Sequence, residues 1–176
     1  MSESINNIQF SAEAMNLVNK YIAKFPEGKQ KSALISVLHL AQAEFGGWLS
    51  PEVMDYVASV LKIEPIEVYE VASFYSQFYL EPVGKYVFEV CHTGPCAVRG
   101  ADDIIKYMEK KLGIKKGETS ADGLFTLKGV ECLAACGSAP MMQCGLNYHE
   151  HLTPEKVDAL VEEFKAESKV RRPFPN

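Results

Sequence analysis

The residues best suited to chemistry in this 176-residue chain are its five cysteines, Cys91, Cys96, Cys132, Cys136 and Cys144. An odd number of thiols in a reducing cytosol makes a disulfide framework an unusual use for them, and metal or redox chemistry moves ahead of cross-linking. Four of them form two pairs, Cys91-His-Thr-Gly-Pro-Cys96 and Cys132-Leu-Ala-Ala-Cys136, with four and three intervening residues. Two such pairs on neighbouring loops converge four thiolates on one point, as a [2Fe-2S] cluster needs: two tetrahedral irons, each completed by two cysteine sulfurs. Cluster and thiolates together carry a charge of about −2, so backbone N–H groups must also be aimed at sulfur. Gly94, Gly100 and Gly137 permit the turns and close backbone approach this requires, and Pro95 and Pro140 stiffen the same loops. The competing reading is a four-cysteine zinc site, although zinc loops more often place two residues between ligands. No Cys-x-x-Cys occurs, which argues against a dithiol oxidoreductase pair.

Other titratable residues fit this chemistry less well. Cys144, between Met141-Met142-Gln143 and Gly145, reads as a buried, inert thiol. His92 lies inside the first cysteine loop, where it either tunes a cluster or, on the plainer reading, is an exposed loop residue. His39, His149 and His151 read as packing or surface positions. Neither a Gly-x-Gly-x-x-Gly after a strand nor a Gly-x-x-x-x-Gly-Lys-Ser/Thr occurs, so no nucleotide fingerprint is present. A binuclear cluster passes one electron at a time, and hydride chemistry then needs a cofactor elsewhere.

The elements that position the cysteines divide into two regions. Up to about Tyr79 the apolar residues recur at helical spacing: Ala14, Leu17, Val18, Tyr21, Ile22 and Phe25, stopped by Pro26-Glu27-Gly28, then Leu34, Val37, Leu38, Ala41 and Phe45. Ser50-Pro51-Glu52 reads as an N-cap, a first-position proline and an acid on the positive dipole end of a third helix; a fourth opens near Pro65. Residues 1–81 are therefore expected to form a helical bundle. Phe74, Tyr75, Phe78 and Tyr79 are expected to share one face of the fourth helix, either as packing between domains or as a partner contact. After Pro82 the period becomes extended, with a strand over Tyr86–Val90 running into Cys91, a helix from Ala101 to Leu112 and a strand from Leu124 to Val130. A short hairpin around Met141–Cys144 and Tyr148 precedes a last helix capped by Thr153-Pro154-Glu155. The order β-α-β-β-α predicts a small mixed sheet covered by helices over residues 82–168, an α+β chain overall, with 169–176 as a tail.

Composition sets the outer bounds. A 47% hydrophobic content is enough for a packed core, and a formal charge of −5 argues against a nucleic-acid or anionic-lipid surface. The opening residues show neither a secretory signal nor a presequence, so a cytoplasmic location is expected, with any membrane association made through partners.

With these residues in view the chain resembles the E-subunit family of bacterial respiratory complex I (NADH:quinone oxidoreductase), also called the second flavoprotein subunit. The resemblance rests on Glu70 to Phe78, the Cys91–Cys96 loop with Val98-Arg99-Gly100, and Glu131-Cys132-Leu133-Ala134-Ala135-Cys136 followed by Ala139-Pro140. It implies a thioredoxin-like second domain, one [2Fe-2S] cluster on Cys91, Cys96, Cys132 and Cys136, and a helical region that binds a partner. The partners implied are a flavoprotein subunit (F-type) holding FMN and NADH and the large iron–sulfur subunit of the peripheral arm, on the cytoplasmic side of the inner membrane. An NAD-linked formate dehydrogenase or a bifurcating hydrogenase is the nearest alternative host. Ala134 stands where many relatives have glycine and is expected to crowd the second cysteine loop slightly.

Overall fold

The computed structural model describes residues 8–168, and the tail expected over 169–176 lies outside the described residues. The chain divides into two compact units, one ending at Pro82 and the other beginning at Val83.

The first unit is helical. α1 (Ala12–Ile22) is opened by Ser11, whose hydroxyl accepts from the Ala14 N–H at 3.2 Å. A 3₁₀ turn (Gln30–Ala33) leads into α2 (Leu34–Glu44). α3 (Pro51–Leu61) has the cap its sequence demands, Ser50 Oγ accepting from Val53 N–H at 3.3 Å with Pro51 in the first turn. α4 (Pro65–Phe74) starts where Glu67 reaches back to the Glu64 N–H at 3.0 Å. Val18, Val37, Leu38, Leu49, Val57, Leu61 and Val68 make its core, each side chain contributing about 1.5–3 kcal/mol by burial.

The four aromatics at the end of this unit do not share a helical face. α4 stops at Phe74, and the following chain is pulled onto α2 by Gln42, whose amide donates to Gln77 O at 3.1 Å and accepts from Tyr79 N at 2.8 Å. Phe78 thereby enters the core against His39, ring centroids 4.9 Å apart, whereas Phe74 stays 79% exposed. A side-chain amide satisfying two backbone groups wins here over helical periodicity.

The second unit is a four-stranded mixed sheet in the order β2-β1-β3-β4. β1 (Tyr86–Cys91) and β2 (Phe125–Val130) run parallel with Cys91 opposite Val130. A parallel pair needs a crossover; here it is a one-turn helix, α5 (Pro95–Val98), followed by α6 (Ala101–Leu112), which ends on Gly113 at φ 69. β3 (Met142–Cys144) pairs antiparallel with β1, and β4 (Asn147–His149) antiparallel with β3. α7 (Pro154–Ser168) begins at Thr153, whose hydroxyl accepts from Lys156 N–H at 3.2 Å. Phe88, Phe125, Leu127, Met108, Met142, Val157 and Val161 fill the core between sheet and helices. A smaller cluster of Cys91, Cys96, Ala101, Ala139 and Met141 lies at one end of the sheet.

Candidate metal centre

Because β1 and β2 are parallel neighbours, the loops that follow them emerge at the same end of the sheet. Cys91 is the last residue of β1, Cys96 lies in α5, Cys132 follows β2 by two residues, and Cys136 opens a 3₁₀ turn (Cys136–Ser138). All of these thiols are free.

The first pair is buried, Cys91 and Cys96 each at 2% exposure. Its loop turns tightly at Thr93-Gly94-Pro95-Cys96, where the Cys96 N–H donates to Thr93 O at 3.1 Å. Gly94 has φ 46 and ψ −122, the backbone of the first central position of a type II′ turn, which a side chain resists. Gly100, at φ 93, opens α6. His92 is half-buried rather than exposed: its ring lies against Gly129, where a Cβ would come within 2.9 Å of Cδ2. The correction follows from the parallel register, which seats the residue after Cys91 beside β2.

The second pair is exposed. The residue in the left-handed region here is Ala134, at φ 59, and not Gly137, which has no positive φ. Conformational cost in this loop therefore falls on a residue with a Cβ, a larger matter than the slight crowding expected. Three side chains and backbone groups tie the loop down: Tyr148 Oη donates to Leu133 O at 2.8 Å, Arg99 Nε to Ala139 O at 3.0 Å, and the His151 N–H to Ser138 O at 2.8 Å.

Donors are aimed at sulfur in both loops. The Ala134 N–H reaches Cys132 Sγ at 3.3 Å, and Cys91 Sγ lies 3.8 Å from Thr93 Oγ1. Burial alone would raise the Cys91 thiol, but the backbone N–H groups of Thr93 and Leu133, the Cys96 thiol and the Thr93 hydroxyl outweigh it, and the pKa is lowered. Burial, then Cys91 and the charge of Cys136, push Cys96 up to about 11. Cys96 thus responds to both Cys91 and Cys136, and the Leu133 N–H of the second loop reaches Cys91 in the first. Among the described residues, no three His, Cys, Asp or Glu side chains gather around a single point as for one metal ion. A binuclear cluster asks instead for one pair of thiolates per iron. Four free thiols in two pairs, with N–H groups turned toward them, fit that group.

Cys144 lies apart on β3, and burial first, then Glu89 and Glu167, push its thiol up to about 12. His39 and His149 are both lowered, by burial foremost, and His151 is exposed at the surface. Sequence reading missed Tyr148 and Arg99 as supports of the site. Arg99 was visible only as part of the Val98-Arg99-Gly100 motif, and Tyr148 had no local signal, since its partner is fifteen residues away.

A mixed sheet that presents thiol pairs beyond the ends of two parallel strands defines a thioredoxin-like scaffold for a metal–sulfur centre. The chain belongs to the thioredoxin-like [2Fe-2S] ferredoxin family, whose match covers residues 18–165. It is 45% identical over 163 residues to the E subunit of NADH-quinone oxidoreductase from Rickettsia felis, covering 93% of this chain and 98% of that one. It is 44% identical to the mitochondrial NADH dehydrogenase [ubiquinone] flavoprotein 2 of Dictyostelium discoideum, covering 89% and 63% of the two chains. Among solved structures, an NAD+-reducing [NiFe]-hydrogenase in its air-oxidized state shares the fold at a TM-score of 0.65 and 20% identity, over 76% of this chain and 23% of that one.

Proposed function

We propose that this chain is an iron–sulfur electron-transfer subunit of the NADH-oxidising module of NADH:quinone oxidoreductase, with its [2Fe-2S] cluster on Cys91, Cys96, Cys132 and Cys136. The observation that carries the reading is the emergence of both cysteine pairs at one end of a parallel strand pair, in a chain whose near-full-length relatives carry that subunit's name. A [2Fe-2S] cluster supplies one-electron transfer. The chain's own residues supply the thiolates and the N–H groups of Thr93, Leu133 and Ala134 that offset negative charge. The Cys91, Cys96, Ala101, Ala139 and Met141 cluster keeps water from the first pair.

The subunit works in a multi-subunit complex with a flavoprotein. We further assign to it the FMN- and NADH-binding subunit as direct partner, the helical region over 1–81 as a partner-binding surface, and a place on the cytoplasmic side of the membrane. Among the described residues, no helix is long and apolar enough to cross a membrane. NADH gives up two electrons as hydride, which a flavin and not a binuclear cluster accepts.

The test is division of labour. The purified chain is expected to be reduced by dithionite and not by NADH, and to bind no FMN. Together with the flavoprotein subunit it should form a stable complex that oxidises NADH with an artificial acceptor. Rapid NADH oxidation by the flavin-free single chain would overturn the reading.

A further inference from the structure

Tyr148, on β4, donates its phenolic O–H to Leu133 O at 2.8 Å. That carbonyl shares one peptide unit with the Ala134 N–H, and in a trans peptide the two groups point in opposite directions. The Ala134 N–H is the group that reaches Cys132 Sγ at 3.3 Å. Phenol, peptide and sulfur therefore form one relay, in which fixing the carbonyl aims the N–H. The peptide needs fixing, because Ala134 sits at φ 59, a region that L-residues with a Cβ avoid. The loop packs Leu133 and Ala135 against the cluster that buries Cys91 and Cys96, but it is exposed at Cys132, Ala134 and Cys136, so packing does not enclose the Ala134 N–H and its sulfur.

We propose that Tyr148 is a positioning residue that sets the reduction potential of the centre by holding the Leu133–Ala134 peptide with its N–H aimed at Cys132. An N–H···S bond strengthens as negative charge on sulfur grows, so it favours the reduced state, and its loss lowers the potential. The proposal rests on the cluster reading above and adds to it a residue outside both cysteine loops.

Tyr148→Phe removes one oxygen and keeps the ring. In the full chain with its cluster reconstituted, an EPR-monitored redox titration is expected to show the reduction equilibrium shifted about fivefold toward the oxidised form, the scale of one hydrogen bond. That is about 40 mV lower, at about 59 mV per tenfold for one electron. In an Ala134→Gly background the left-handed backbone carries no Cβ penalty, so the same substitution should lower the potential by less than half as much. Should Tyr148→Phe lose the cluster outright, recovery of iron in the Tyr148→Phe/Ala134→Gly chain supports the relay, and no recovery overturns it. An unchanged potential and EPR spectrum in Tyr148→Phe overturns it, as does an equal drop in both backgrounds, which would mean the phenol acts without the peptide. Failure of the cluster reading shows separately, as a wild-type chain that takes up no iron and sulfide.

Discussion

The two cysteine loops leave adjacent parallel strands at the same end of one sheet, yet they are held by different means. The first is held by burial: Cys91 and Cys96 are 2% exposed, packed with Ala101, Ala139 and Met141, and its sharp turn falls on Gly94, at φ 46. The second exposes both its thiols, touches that cluster only from its edge through the partly buried Leu133 and Ala135, has Ala134 rather than a glycine as its left-handed residue, and is tied by hydrogen bonds from Tyr148, Arg99 and His151. Packing fixes a loop through many small contacts, whereas a few side-chain hydrogen bonds fix it at named atoms. The first loop should therefore tolerate little change of volume, and the second little change of polarity.

The largest expected effect separates the pairs in the metal-free protein. All four Cys→Ala variants should lose the cluster, because each leaves an iron position open. Cys91→Ala and Cys96→Ala should also cost the apo fold about 1–2 kcal/mol through lost burial, while Cys132→Ala and Cys136→Ala should stay within about 0.5 kcal/mol. Denaturant midpoints of the four apo variants measure this, and equal costs in both pairs would erase the distinction. Cys144→Ala should leave the visible and EPR spectra unchanged.

The turn residues should respond in opposite directions. Gly94→Ala places a Cβ at a II′ position and is expected to cost at least about 1 kcal/mol. Ala134→Gly relieves a left-handed residue and should be neutral or stabilising by up to about 1 kcal/mol in thermal unfolding.

The smallest effect is one of pH. Cys144 is raised from the ordinary thiol value of 9.0 to about 12, so the folded state prefers the neutral thiol more than the unfolded state does. Its contribution to stability is complete below about pH 9 and is lost as pH climbs through the folded value. Unfolding followed from pH 8 upward should show this fall in the wild type and a shallower one in Cys144→Ala. In the apo chain Cys144 should also be the last thiol alkylated and Cys132 and Cys136 the first, since the thiolate is the reacting form and access limits it.

Much of this fold was legible because its signals are local. Ser50, Pro51 and Thr153 sit at helix starts whose hydrogen bonds the structure contains, Gly113 stops α6, and the alternation from Tyr86 onward runs straight into Cys91. The four cysteines stood out by type and spacing, and the parallel β1–β2 pair places both loops together. What the sequence hid was non-local. Gln42 ends the helical run at Phe74 by binding backbone groups thirty-five and thirty-seven residues away, and Tyr148 reaches Leu133 only once the hairpin has formed. α5 is a single turn, too short for a periodicity. His92 packs on Gly129 because of a strand register that residue types alone do not set.

The most direct test of the central claim is iron and acid-labile sulfide content of the anaerobically purified chain, with an EPR spectrum after dithionite. About two irons and two sulfides per chain and a single S = 1/2 signal near the free-electron g value are expected of four thiolate ligands around a binuclear cluster. Stoichiometric zinc with no labile sulfide would contradict it.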